Sequence, residues 1–165
     1  MKRSEIIRKT APCSLMCYTC SAFNKGIICE SAKTLSQYLN GIGEFYKEHW
    51  ISVAEKYNIF EDILNLYKRA SCSGCRSAKY NANNIKGCFV LECANSHKVD
   101  FCGECDEFPC QKAKDLFEKE VYLQWLDGNT QIKNEGIEVF WENNFKKPHY
   151  KVYKKKSKWQ IRREI

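Results

Sequence analysis

Residues 88–112 read CFVLECANSHKVDFCGECDEFPCQK, a stretch that holds Cys88, Cys93, Cys102, Cys105 and Cys110. A C-x2-C pair lets two sulfurs turn toward one ion from a tight turn, and tetrahedral zinc takes four such ligands, usually two from each of two knuckles. Upstream stand CSGC, with Cys72 and Cys75, and APCSLMCYTC, with Cys13, Cys17 and Cys20 in C-x3-C-x2-C spacing. Ten of the 11 cysteines therefore fall in clusters, and all ten are candidate metal ligands. Cys29 stands apart and reads as a small buried hydrophobe. Short loops close at the lowest entropic cost. The expected partition is therefore Cys72, Cys75, Cys88 and Cys93 in one site, and Cys13, Cys17, Cys20 and one cysteine of the last cluster in another. An interleaved set, Cys72 and Cys75 with Cys102 and Cys105, is the close competitor.

Zinc is the first cofactor expected, with a [4Fe–4S] cluster as the alternative. The C-x3-C-x2-C spacing also occurs in radical S-adenosylmethionine enzymes, but the strand-and-helix repeats of their large barrel are absent from this sequence. Cys110 follows Pro109 at the start of an expected helix, where N–H groups favour a thiolate for metal binding or for chemistry. His97 reads as a loop histidine beside the cysteines. No βαβ unit accompanies the C-x2-C pairs, as a thiol-exchange protein would require. No phosphate-binding glycine loop or serine–histidine–acid constellation is visible either. A binding module is expected rather than an enzyme.

Disulfides are the plain alternative for so many cysteines. Their count is odd, and the charged N-terminus (Lys2, Arg3, Glu5, Arg8, Lys9) leads into no apolar stretch of a secretory signal. A reducing, cytoplasmic setting is expected, where cysteine clusters serve metals more often than disulfides. No run of apolar residues is long enough to cross a membrane.

A length of 165 residues with 44% apolar and 13% aromatic content allows one domain with its own core. The formal charge of +7 is concentrated at one end: residues 145–165 carry nine Lys or Arg and one Glu, net +8, which leaves 18 basic and 19 acidic groups, net −1, in 1–144. The chain divides accordingly into a cysteine-rich helical metal-binding domain, 1–144, and a basic aromatic tail, 145–165. In the tail Tyr150, Tyr153 and Trp159 interleave with lysines, which suits single-stranded nucleic acid. A solvated tail or an edge strand through Val152, Tyr153, Trp159 and Ile161 is the favoured reading.

Apolar residues at helical spacing mark the rest. Leu35, Tyr38, Leu39 and Ile42 form one stripe, Trp50, Val53, Ala54 and Tyr57 a second, and Phe60, Ile63, Leu64 and Tyr67 a third, each expected to pack into a core. From 70 to 103 regular structure should be sparse, with Gly74, Gly87 and Gly103 at turns. A helix from Pro109 should carry Ala113, Leu116, Phe117 and Val121 inward and end at Asp127–Asn129. A last helix, 131–144, should bury Ile132, Ile137, Phe140 and Trp141.

The cysteine stretches together resemble the small prokaryotic cysteine-rich proteins filed as domain of unknown function 3795. The resemblance rests on APCSLMCYTC, CSGC and CFVLECANSHKVDFCGECDEFPCQK, with GIEVFWENN at 136–144 similar to a helix that often follows. Two positions depart: Ser14 stands where many members carry glycine, and Ile85 where many carry a further cysteine. The resemblance implies metal binding without an assigned reaction, and occurrence in anaerobes, which favours the iron–sulfur alternative. The combined expectation is a mainly α-helical domain with an irregular metal-bound segment that presents a surface to a protein partner.

Overall fold

The computed structural model describes residues 1–77 and 88–150. Eight α-helices occur among them: α1 Arg3–Lys9, α2 Ile27–Tyr38, α3 Ile42–His49, α4 Ile51–Lys68, α5 Phe89–Ser96, α6 Gln111–Leu116, α7 Lys119–Glu135 and α8 Ile137–Asn144. Single 3-10 turns span Cys17–Thr19 and Cys102–Glu104. The described residues contain no strand, only an isolated parallel bridge between Phe23 and Cys72. The expectation of a mainly α protein holds.

The main core lies where α7 and α8 meet α1 and the first cysteine loop. Ile6, Met16, Phe101, Ile132, Ile137, Phe140 and Trp141 are buried there together, with Tyr18 and Phe145 packed against them. The four residues expected inward from the last helix are thus all buried, although the chain breaks at Gly136 between α7 and α8. A second, smaller cluster joins Phe108, Ala113 and Trp125 to Phe89, Phe117 and the sulfur-bearing residues Cys13, Cys102, Cys105 and Cys110.

Three expectations are corrected. Asp127–Asn129 do not end a helix; they lie inside α7, and the break falls earlier, between Leu116 and Lys119. Both small residues work there by contact. Gly128 lets Ser14 approach so closely that an added Cβ would collide with its hydroxyl. The wholly buried Asn129 accepts the Gly103 N–H at 2.9 Å and donates to the Trp125 carbonyl at 2.9 Å. Helix α5 forms in the stretch expected to be irregular, because Val90 and Ala94, one turn apart, both reach the interior.

The third correction concerns α2, α3 and α4. These helices pack on one another, α4 against both α2 and α3, and join the rest mainly through the 3-10 turn at Cys17–Thr19. Of their three expected core stripes only Ala54 and Leu64 are buried, whereas Tyr38 is 83% exposed and Leu35, Trp50, Val53, Phe60 and Ile63 are also exposed. Among the described residues no other element covers that side. The turn expected at Gly87, the departure at Ile85, and the tail readings at Val152, Tyr153, Trp159 and Ile161 lie outside the described residues. No helix of the described residues is long and apolar enough to cross a membrane.

Candidate metal centre

All 11 cysteines lie among the described residues, and none of them is joined in a disulfide there. Backbone pairing brings their loops together in two neighbourhoods, and the grouping differs from the partition that sequence separation favoured.

The first neighbourhood collects the N-terminal loop and CSGC. Cys72 donates its N–H to the Ala22 carbonyl and accepts from Asn24 N–H, each at 2.9 Å, which lays CSGC alongside the loop that follows Cys20. The Gly74 N–H points at the Cys72 sulfur at 3.4 Å, the contact that a thiolate knuckle uses. Cys17 hydrogen-bonds through its side chain to Cys75, and Cys13 and Cys20 also lie within electrostatic reach of it. Cys13 in turn feels Cys75, Cys102 and Cys88. Cys13, Cys17, Cys20, Cys72 and Cys75 thus gather at one pole, with Cys13 leaning toward the other, while Cys88, at the N-cap of α5, lies near Cys13 between them.

Arg76 fixes this pole. Its guanidinium donates to the carbonyls of Ile7, Thr10 and Asp100 and lies 5.0 Å over the Phe101 ring. One planar fork therefore ties the residue after Cys75 to the end of α1 and to the loop that leads into Cys102. Arg3, on α1, reaches the same loop through Asp100 at 2.8 Å and Glu104 at 2.5 Å. These last two pairs are largely exposed and contribute little to stability.

The second neighbourhood is formed by CGEC, Cys110 and α5. Cys102 donates its N–H to Pro12 O at 3.0 Å, which sets it beside Cys13, while Cys105 N–H closes the turn onto Cys102 O at 3.1 Å. Gly103 sits so tightly on α7 that a side chain there would strike the Asn129 backbone. Cys110 occupies the N-cap of α6. Helix α5 delivers Cys93, and the four sulfur residues line a small apolar cavity of about 30 Å³ with His97, Glu107, Phe108 and Trp125. That space is large enough for a single ion. His97 Nδ1 lies 2.9 Å from the Cys93 carbonyl and 3.6 Å from its sulfur, and its Nε2 is 3.6 Å from Glu107.

Electrostatics divides the thiols. Burial pushes Cys13 up to about 12 and Cys102 up to about 11. It also raises Cys72 and Cys93. Cys75 moves the other way, down to about 6, because the Cys17 thiol donates to it and Arg76 lies close, and the same bond raises Cys17. Burial in turn pushes the Arg76 guanidinium down, against the pull of Asp100 and the neighbouring sulfurs. The protonation of His97 is favoured chiefly by the Cys93 carbonyl.

Among the described residues no group of three or more His, Cys, Asp or Glu side chains stands in a metal-holding arrangement. The donor chemistry nonetheless suits a borderline or soft cation, since sulfur dominates both poles. The Trp125 indole N–H is buried without a hydrogen bond of ordinary geometry, and it interacts with Cys102, favouring its thiolate. Such an N–H is what a metal-bound sulfur would accept.

Residues 9–115 match the model of a family described as "Protein of unknown function (DUF3795)". The chain belongs to that family. The match runs from the end of α1 through α6 and takes in every cysteine, whereas α7 and α8 lie beyond it. No curated protein and no solved structure matches the chain.

Sequence reasoning missed Arg76, Asn129 and Trp125 as residues that shape the site. Arg76 had one signal, its place directly after CSGC. The other two sit on α7, where helical periodicity marks a face without saying which loop lies on it.

Proposed function

We propose that this protein is a metal-binding module in which cysteine thiolates hold zinc and so lock the irregular loops onto the helices, leaving a surface for a protein partner. The observation that carries the reading is the second neighbourhood: Cys93, Cys102, Cys105 and Cys110 around one apolar cavity beside the buried indole N–H of Trp125. Four thiolates are a complete tetrahedral zinc set, with sulfurs about 2.3 Å from the metal, and a closed set of that kind supports a structural role over a catalytic one. The five cysteines of the first neighbourhood, with Cys88 beside Cys13, would supply a second set. Their C-x3-C-x2-C spacing, joined by Cys75, favours an iron–sulfur cluster as the alternative occupant there.

Elemental analysis and visible spectra of protein prepared without oxygen distinguish the readings. Stoichiometric zinc in a colourless protein supports the first; a brown protein containing iron and inorganic sulfide supports the second; metal-free protein that takes up neither refutes both. The variant Cys105→Ser should lose the ion of the second neighbourhood and melt earlier, by on the order of 3 kcal/mol of stability. Unchanged metal content in it removes Cys105 from the ligand set.

A further inference from the structure

We propose that the chain forms a symmetric homodimer through the outer face of α2 and α4. This inference goes beyond the metal reading and does not depend on it.

Eleven of the 18 large hydrophobic side chains left exposed among the described residues lie between Ile27 and Leu66, which concentrates the apolar surface on one small unit. On α2, Ile27, Ser31, Leu35 and Tyr38 recur at helical spacing along one edge, and all are exposed. Helix α4 is apolar on two faces. Ala54, Tyr57 and Leu64 turn toward its neighbours, and Ile59, Ile63 and Leu66 form a separate stripe at i, i+4, i+7, with Leu66 69% exposed. Between the two helices runs an open apolar groove of about 290 Å³, bordered by Ile27, Leu35, Leu64 and Tyr67.

A helix that is apolar on both faces is stable when both are covered. The unit cannot supply that cover itself, because only Cys29, Ala32, Ala54 and Leu64 are buried in it, and helical units of about 40 residues usually need a partner or a cross-link. A ridge beside a groove on one face is self-complementary: a twofold axis seats the α4 ridge of each copy in the α2/α4 groove of the other, the isologous contact of cyclic dimers. The area fits. Ile27, Leu35, Tyr38, Ile59, Phe60, Ile63 and Leu66, from 39% to 83% exposed, offer on the order of 700 Å² of apolar surface, close to the roughly 800 Å² that each partner buries in a standard interface.

Sedimentation of the full chain tests this. A mass of twice the 19.3 kDa chain is expected. The double variant Ile63→Glu, Leu66→Glu should weaken the dimer by at least about a hundredfold, whereas Val139→Glu on α8 should leave it intact. Thermal melting and metal content identify a variant that has merely misfolded. For the unaltered chain, hydrogen exchange along α2 and α4 should slow as concentration rises. A wild-type monomer overturns the proposal, as does a dimer that persists in the folded double variant, exchange in α2 and α4 that ignores concentration, or a face occupied by a different protein instead of a second copy.

Discussion

Arg76 is the residue on which the geometry of the cysteine loops most depends. Three carbonyls from two separate segments point at one guanidinium, and a carbonyl removed from water without a donor costs about 1–3 kcal/mol. Arg76→Gln should therefore lower stability by about 3 kcal/mol, measured by denaturant unfolding of the reduced, metal-free protein. Lysine should recover only part of the loss, because a single ammonium cannot span the positions that the planar fork reaches. Full recovery by Lys would show that charge matters at this position and geometry does not. The sequence shows only that this arginine directly follows CSGC; the carbonyls that it binds, in two distant segments, are not legible there.

At the scale of elements, α7 shows how a misleading local signal arises. Asp127, Gly128 and Asn129 have the composition of a helix end, yet the helix runs through them to Glu135. Glycine is required there by the approach of Ser14, and Asn129 is required to hold Gly103 of the CGEC turn. Ser14 itself has a left-handed backbone, with φ of 64°, a conformation that costs a residue bearing Cβ roughly 1–2 kcal/mol. That accounts for the glycine expected at this position from the family resemblance. Ser14→Gly should stabilise by about 0.5–1 kcal/mol, the relief of strain less the added entropy of the unfolded chain. Gly128→Ala should destabilise by about 1–3 kcal/mol through overpacking. Thermal melts of the two variants check both signs, and an unaffected Gly128→Ala would mean that α7 and the Ser14 loop are not in contact. The stripes of α2 and α4 were legible as helices; their burial was not. Periodicity reports that a face is apolar, and says nothing of whether the same chain covers it.

Across the whole molecule, clustering of the cysteines could be read directly, while their grouping could not. Sequence separation favoured Cys93 with Cys72, Cys75 and Cys88, but helix α5 carries Cys93 to the side of Cys102, Cys105 and Cys110. The opposing thiol shifts give the metal-free protein a stability maximum in pH. Cys13 and Cys102 have raised pKa values in the folded state, so their contribution is full below the ordinary thiol range near 9 and is lost as pH rises toward 11 and 12. Cys75 is depressed, so its contribution is present above that range and is lost as pH falls through about 6. Melting temperatures of reduced apo protein should accordingly peak near pH 9, falling toward pH 6 as the Cys75 contribution is lost and toward pH 11–12 as those of Cys13 and Cys102 are lost. A curve that is flat from neutrality to pH 11 contradicts the burial of Cys13 and Cys102. Zinc binding should release protons from these raised thiols at neutral pH and fewer from Cys75, measurable as a buffer-dependent heat.

Cys29 carries a separate consequence. It is fully shielded on α2, its thiol directed at the Lys68 carbonyl at the end of α4, and it belongs to neither sulfur pole. An alkylating reagent can reach it only when those two helices part. After chelation the half-exposed sulfurs of the two poles should label first, the buried and protonated Cys13 and Cys102 more slowly, and last Cys29, at the rate at which α2 and α4 separate. Mass spectrometry of that last adduct turns Cys29 into an internal stopwatch for opening of the helical unit, read without any engineered probe.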